Sequence, residues 1–185
     1  MSSTKSINNL VALVRGPVVC SNTSLNNEAV PALGLAYIAG YLRKKGYQVV
    51  LIDSTVEGLN NLFEFKEYPG FSGQGLRHEK TISMIPKHAK VIAFSGMFSG
   101  EWPVLRDLIT QTRQTFPEAL LVAGGEHITA LTEYSLRDCP ALDVCVRGEG
   151  EHTFYELVKA YLETGIFSSV PAVAYLDKES EYQQN

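Results

Sequence analysis

Short apolar, β-branched runs alternate along this chain with longer segments carrying helix signals. Leu10 to Val14 closes at Arg15-Gly16-Pro17 and predicts a buried strand. A polar loop through Asn22, Asn26 and Asn27 leads to Pro31, which opens PALGLAYIAGYLRKKG, a helix with basic residues in its last turn and Gly46 after it. Gln48 to Ile52 is the second strand, stopped by Asp53. The Gly-, Pro- and aromatic-rich stretch 53–75 predicts a long loop, followed by a weak helix over 76–88. Strands are predicted at 91–95, 119–125, 142–146 and 171–176, with helices at 101–116, 129–137 and 151–164 between them. Such apolar strands spaced by helices need a sheet covered on both faces: an α/β, doubly wound parallel sheet of order 2-1-3-4-5. The final DKESEYQQN, residues 177–185, is polar and predicts a tail or linker outside a domain of residues 1–176.

At 185 residues the chain is long enough for one domain that buries roughly 70% of its unfolded surface. Its 16 basic and 20 acidic residues give a net charge of −4, which offers no cationic field to a nucleic acid or an anionic membrane. Cys20, Cys139 and Cys145 follow neither a disulfide nor a metal-site spacing, so a reducing, cytoplasmic setting is expected. The first ten residues lack a secretory pattern, and no run of the chain is long and apolar enough to span a membrane.

In a parallel sheet the chemistry gathers outside the carboxyl ends of the strands. There the sequence places Asp53-Ser54-Thr55-Val56-Glu57-Gly58, then Ser95-Gly96-Met97, then Gly124-Gly125, with 36 residues between the first two groups and 26 between the last two. This set resembles the flavodoxin-like cobalamin-binding domain, whose motif is Asp-x-His-x-x-Gly, Ser-x-Leu and Gly-Gly. The resemblance implies a base-off cofactor. The first loop approaches the lower face of the corrin, and the serine loop lines the channel for the detached dimethylbenzimidazole tail. The paired glycines let backbone approach that tail. Pro31-Ala-Leu-Gly-Leu-Ala-Tyr-Ile-Ala-Gly-Tyr-Leu, Gly124-Gly125-Glu126-His127 and Arg147-Gly148-Glu149-Gly150-Glu151 narrow the likeness. They resemble the amino-terminal cobalamin domains of radical S-adenosylmethionine methyltransferases and cyclases.

Two departures shape the expectation. Thr55 stands where the family's cobalt-ligating histidine would be, so no protein ligand to the metal is expected. No Cys-x-x-x-Cys-x-x-Cys occurs, so the iron–sulfur cluster and S-adenosylmethionine are expected only in a partner domain, in cis or in trans. His127 reads either as part of the cofactor site or as a helix-start residue. The aromatic stretch Leu59 to Phe71 reads either as a docking surface or as packing on the domain's own edge.

Three rivals are weaker. Arg147 to Thr153 sits like a dinucleotide fingerprint, but Thr153 replaces its third glycine and two glutamates would oppose the pyrophosphate. Ser21-Asn-Thr-Ser24 faintly resembles the phosphate loop of a flavin-binding electron carrier, yet Leu25 to Val30 separates it from the helix. Asp53 ends a strand as the acceptor of a receiver domain does, without that family's acidic pair or lysine.

Overall fold

The computed structural model describes residues 9–23 and 30–185. Five parallel strands form the centre: β1 (Leu10–Arg15), β3 (Gln48–Asp53), β6 (Val91–Ser95), β7 (Leu120–Gly124) and β8 (Val144–Val146). Across the sheet they run β3-β1-β6-β7-β8, the 2-1-3-4-5 order expected.

Alternation along each strand sorts side chains to two cores. Val11, Leu13, Val91, Ala93 and Val122 meet α1 (Leu33–Lys44) and α7 (Gly150–Thr164) through Leu35, Leu42, Phe154 and Leu157. Ala12, Val14, Ile92, Phe94 and Leu121 face the opposite way, with Leu108 and Ile109 of α4 (Trp102–Thr115). Both faces are therefore covered, as continuous apolar strands demand.

Four regions differ from the sequence expectation. The stretch 53–75 is not one loop. It holds α2 (Ser54–Glu57), β4 (Leu62–Glu64) and β5 (Phe71–Gln74), and β5 pairs antiparallel with both β4 and β2 (Val18–Ser21). These strands are three and four residues long, too short for a periodic signal. The weak helix contracts to α3 (His78–Ser83), which ends before Pro86. The helix expected at 129–137 divides into α5 (Glu126–Ala130) and α6 (Thr132–Asp138) about Leu131, whose φ of −127° leaves the helical range.

The fourth difference is at the carboxyl end, where β9 (Val173–Leu176) pairs antiparallel with β8 and β10 (Tyr182–Gln184) pairs antiparallel with β9. Residues 177–185 are thus a hairpin arm of the sheet rather than a free tail. Asp177 Oδ1 makes the turn by accepting from Glu179 N at 3.0 Å and Glu181 N at 2.9 Å, and the ring of Tyr182 packs on the core. Among the described residues no helix is long and apolar enough to cross a membrane. Of the loop Ser21 to Ser24 and the stretch Leu25 to Val30 after it, residues 24–29 lie outside the described residues.

Candidate functional site

The loops singled out in the sequence all leave the carboxyl edge of the parallel sheet, but they have two different fates. The loop after β3 is folded into the protein. Asp53 caps α2, its Oδ1 accepting from Thr55 N at 3.1 Å and Val56 N at 3.3 Å, and its Oδ2 lies 3.4 Å from Arg15 Nη1. Ser54 and Thr55 are fully buried: the Ser54 hydroxyl donates to Thr81 Oγ1 at 2.7 Å, and Thr55 Oγ1 donates to the Gly16 carbonyl at 3.4 Å. Gly58 is a packing glycine, since a Cβ there would stand 2.4 Å from the Gly75 carbonyl carbon. Of this motif only Val56 and Glu57 turn outward, Val56 with 59% of its surface exposed.

The loops after β6 and β7 are joined to each other instead. Gly96 N donates to the Gly124 carbonyl at 2.7 Å, and His127 N donates to the Gly96 carbonyl at 3.2 Å. Gly125 makes the joint possible: its φ is +117°, and a Cβ would lie 2.6 Å from the Gly96 oxygen. The neighbouring backbone alone therefore requires glycine here, whatever Gly125 also offers to a ligand from a cavity it lines. Gly124 is different. Its Cβ would meet Val146 only at ordinary distances of 3.5 and 3.7 Å.

Beside this joint opens a cavity of about 280 Å³. Ser95, Met97, Gly124, Gly125, Glu126, Gly148, Glu149 and Gly150 all line it, as do Gly34 and Ile38 of the Pro31–Leu42 motif, so four of the five motif groups converge there. Its deep walls are apolar, from Leu13, Ala93, Val122 and Val146 on the strands and Ile38 and Phe154 on α1 and α7. Glu126, Glu149 and Glu151 are the charged groups of its lining. Carboxylates there accept from amide and hydroxyl donors and repel a phosphate monoester. Glu149 and Glu151 also flank the amino end of α7, where negative charge is favoured.

A second cavity of about 310 Å³ shares Gly34, Leu35, Ser95 and Met97 with the first and extends over Arg15, Phe98 and Glu101. Met97 and Phe98 stand exposed beside it. Burial pushes the Glu101 carboxyl up, against the lowering effects of the Val19 N–H and of Arg15.

His127 lines neither cavity. It is 3% exposed, and burial holds its imidazole below the ordinary histidine value. Thr129, Phe154, Arg15 and Glu101 are site residues that the motifs did not indicate, while Gly34 and Ile38 come from the Pro31–Leu42 motif. Helix residues such as Ile38 and Phe154 carry the same signal whether they fill a core or wall a cavity.

A protein-family model described as the B12 binding domain matches residues 27–158, more than half of the chain. Among curated proteins, the chain is 29% identical over 152 residues to cytidylyl-2-hydroxyethylphosphonate methyltransferase from Streptomyces wedmorensis, covering 82% of this chain and 28% of that protein. Over 152 residues it is also 29% identical to the anaerobic magnesium-protoporphyrin IX monomethyl ester cyclase of Cereibacter sphaeroides, covering 80% and 22%. Two solved structures share the fold. The cobalamin-dependent S-adenosylmethionine radical enzyme OxsB, with aqua-cobalamin and S-adenosylmethionine bound, superposes with a TM-score of 0.72 at 18% identity, over 96% of this chain and 22% of that one. The radical S-adenosylmethionine methyltransferase TsrM from Kitasatospora setae does so with a TM-score of 0.67 at 15% identity, over 93% and 29%. The chain thus spans less than a third of the length of each of these proteins.

Proposed function

Since the chain belongs to the B12-binding domain family, we propose that it is the cobalamin-carrying module of a radical S-adenosylmethionine enzyme, a methyltransferase or a cyclase, and holds the cofactor base-off. The observation that carries this reading is the cavity between the Ser95 and Gly124 loops, apolar in depth and edged by acceptors. A flat apolar dimethylbenzimidazole fits between Gly124, Val146, Ile38 and Phe154, while Glu126, Glu149 and Glu151 accept from hydroxyl and amide donors of the nucleotide loop and corrin. When bound, cobalamin supplies cobalt-centred group or electron transfer. The chain's own residues orient it, and Met97, Phe98 and Val56 offer apolar ground to its macrocycle.

No side chain of Asp53-Ser-Thr-Val-Glu-Gly58 offers a nitrogen, and Thr55 is turned inward, so the lower cobalt position takes no protein nitrogen from this loop. The radical step belongs to another domain, in cis or in trans. Three cysteines at positions 20, 139 and 145 do not make a cluster motif, and the relatives are several times longer. The free thiols fit the reducing, cytoplasmic setting that this reading includes.

The test is to add hydroxocobalamin to the purified chain, desalt it and record the visible spectrum. Retained colour with a base-off spectrum is expected. A colourless protein would sink the reading, purification with flavin fluorescence would favour the electron carrier, and a retained base-on spectrum would remove the detached tail. With S-adenosylmethionine and a reductant the chain alone should cleave nothing, and cleavage would overturn the division of labour.

A further inference from the structure

His127 is buried behind the cavity with both ring nitrogens engaged. Nδ1 is 2.9 Å from Ser99 Oγ, Nε2 is 3.3 Å from Ser135 Oγ, and the ring stacks on Trp102 with centroids 4.9 Å apart. Ser135 spends its hydroxyl proton on the Leu131 carbonyl at 2.8 Å, so toward His127 it can only accept. Nε2 therefore carries a proton and donates to Ser135, and burial, which favours the neutral ring, leaves Nδ1 to accept from the Ser99 hydroxyl. Ser99 opens the 3-10 turn Ser99–Glu101, next in the chain to Met97 and Phe98.

We propose that His127 is a positioning residue, a bolt that ties the loop Ser95–Glu101 to α6 and so fixes Met97 on the wall between the two cavities. Among the described residues the segment is also held at its start by the backbone joint of Gly96 to Gly124 and His127 and at its end by Glu101 Oε1, which accepts from Val19 N at 3.4 Å; between them, the exposed Met97, Phe98 and Ser99 lean on this side chain. A second proton on the ring would reverse the Ser99 contact, Nδ1–H donating to the hydroxyl oxygen, and would place a positive charge among buried groups. The charged groups on the surrounding elements are engaged elsewhere: Glu101 with Val19 N, Asp138 with Trp102 Nε1 and Arg106, Glu133 with Arg137. Glu126, beside His127 in the chain, is exposed. None of these groups offers the imidazolium a carboxylate, so burial keeps the ring neutral at neutral pH, and charging it as pH falls below the ordinary histidine range strains the bolt.

The bolt is a property of the chain; its consequence for ligand retention rests on the cobalamin reading, and the test separates the two. Trp102 is the only tryptophan in the sequence, so intrinsic fluorescence of the full chain reports on the stacked ring directly. An acid-side transition is expected in the ligand-free protein. Ser99→Ala, an exposed change, should shift it, and His127→Gln, which can still accept from Ser99 and donate to Ser135, should abolish it. Absence of the transition, or its survival in His127→Gln, would overturn the bolt. For hydroxocobalamin, Ser99→Ala should weaken binding about three- to tenfold, the range of one hydrogen bond, while His127→Gln keeps near-normal affinity and loses its fall at acid pH. Unchanged affinity in Ser99→Ala would refute the positioning role. Failure of the unaltered chain to retain hydroxocobalamin would refute the cobalamin reading and leave the fluorescence result to decide the bolt.

Discussion

The carboxyl end of β3 and those of β6, β7 and β8 lie on one edge of one sheet, yet only the second group opens into a cavity. At β3 the buried polar side chains of the turn are spent locally. Asp53 caps α2, Ser54 reaches Thr81, Thr55 reaches the Gly16 carbonyl, and the Ser54 carbonyl accepts from Leu76 N at 2.9 Å. At β6 and β7 the backbones bond to each other and leave Gly124, Gly148 and Ser95 facing space. Two motifs of one resemblance thus do unlike work: one fixes the shape of the edge, and the other shapes the room beside it. A glycine or a small hydroxyl at a strand end is evidence of close approach, and only the partner atom tells whether the approach is to the protein or to a ligand.

The sharpest way to break this contrast is at its glycines. Gly58→Val drives a side chain into the Gly75–Leu76 backbone, where the first added carbon already stands 2.4 Å from its neighbour, so a loss of about 3 kcal/mol or more is expected in urea unfolding. Gly125→Val combines a φ of +117° with a Cβ 2.6 Å from the Gly96 oxygen and should lose about 2 to 3 kcal/mol. Gly124→Val should behave oppositely, with a midpoint close to that of the unaltered chain but hydroxocobalamin retention weakened roughly tenfold or more. If Gly124→Val unfolds the chain, or Gly58→Val leaves it as stable as before, the distinction between the two edges is lost.

The strand ladder was legible because fully covered parallel strands carry uninterrupted apolar runs, as VIAFS and LLVAG do. The convergence of Ser95, Gly124 and Gly148 was legible too, since strand order brings their ends together. What stayed hidden depends on partners far away in sequence. Gly58 meets Gly75, Thr55 meets Gly16, and Ile38 and Phe154 come from helices whose apolar faces look like ordinary core. The aromatic stretch packs on the domain's own edge only in part. Phe65 is buried and the Tyr68 hydroxyl donates to Asp107 at 2.7 Å, whereas Leu62 and Phe71 stay exposed. The closing hairpin was missed because its one signal, Asp177 at a turn, sits in an otherwise polar segment.

Thr55 sharpens the contrast at smaller cost. Thr55→Val removes a buried hydroxyl and orphans part of the Gly16 carbonyl's bonding, worth about 1 kcal/mol of stability. The spectrum of bound hydroxocobalamin should not change. Thr55→His, in a site with no exposure, should destabilise the fold rather than present a nitrogen to the metal. A shifted cobalt(III) spectrum in either variant would mean that this side chain faces the cofactor after all.

The smallest effect expected is at Glu101, on the open side of the comparison. Burial raises its carboxyl above the ordinary glutamate value although the Val19 N–H and Arg15 both favour the charged form. The folded state therefore holds this proton more tightly than the unfolded chain does, and ionising it costs stability as pH rises from the ordinary value through the raised one. Glu101→Gln carries no such cost and can still accept from Val19 N at Oε1. Its unfolding midpoint should lie slightly above that of the unaltered chain at neutral pH, and the two should converge as pH falls below the ordinary carboxylate range. A gap that widened toward acid would mean that the Glu101 charge is held by Arg15 more strongly than burial opposes it, making this wall of the second cavity a stabilising ion pair instead of a strained carboxylate.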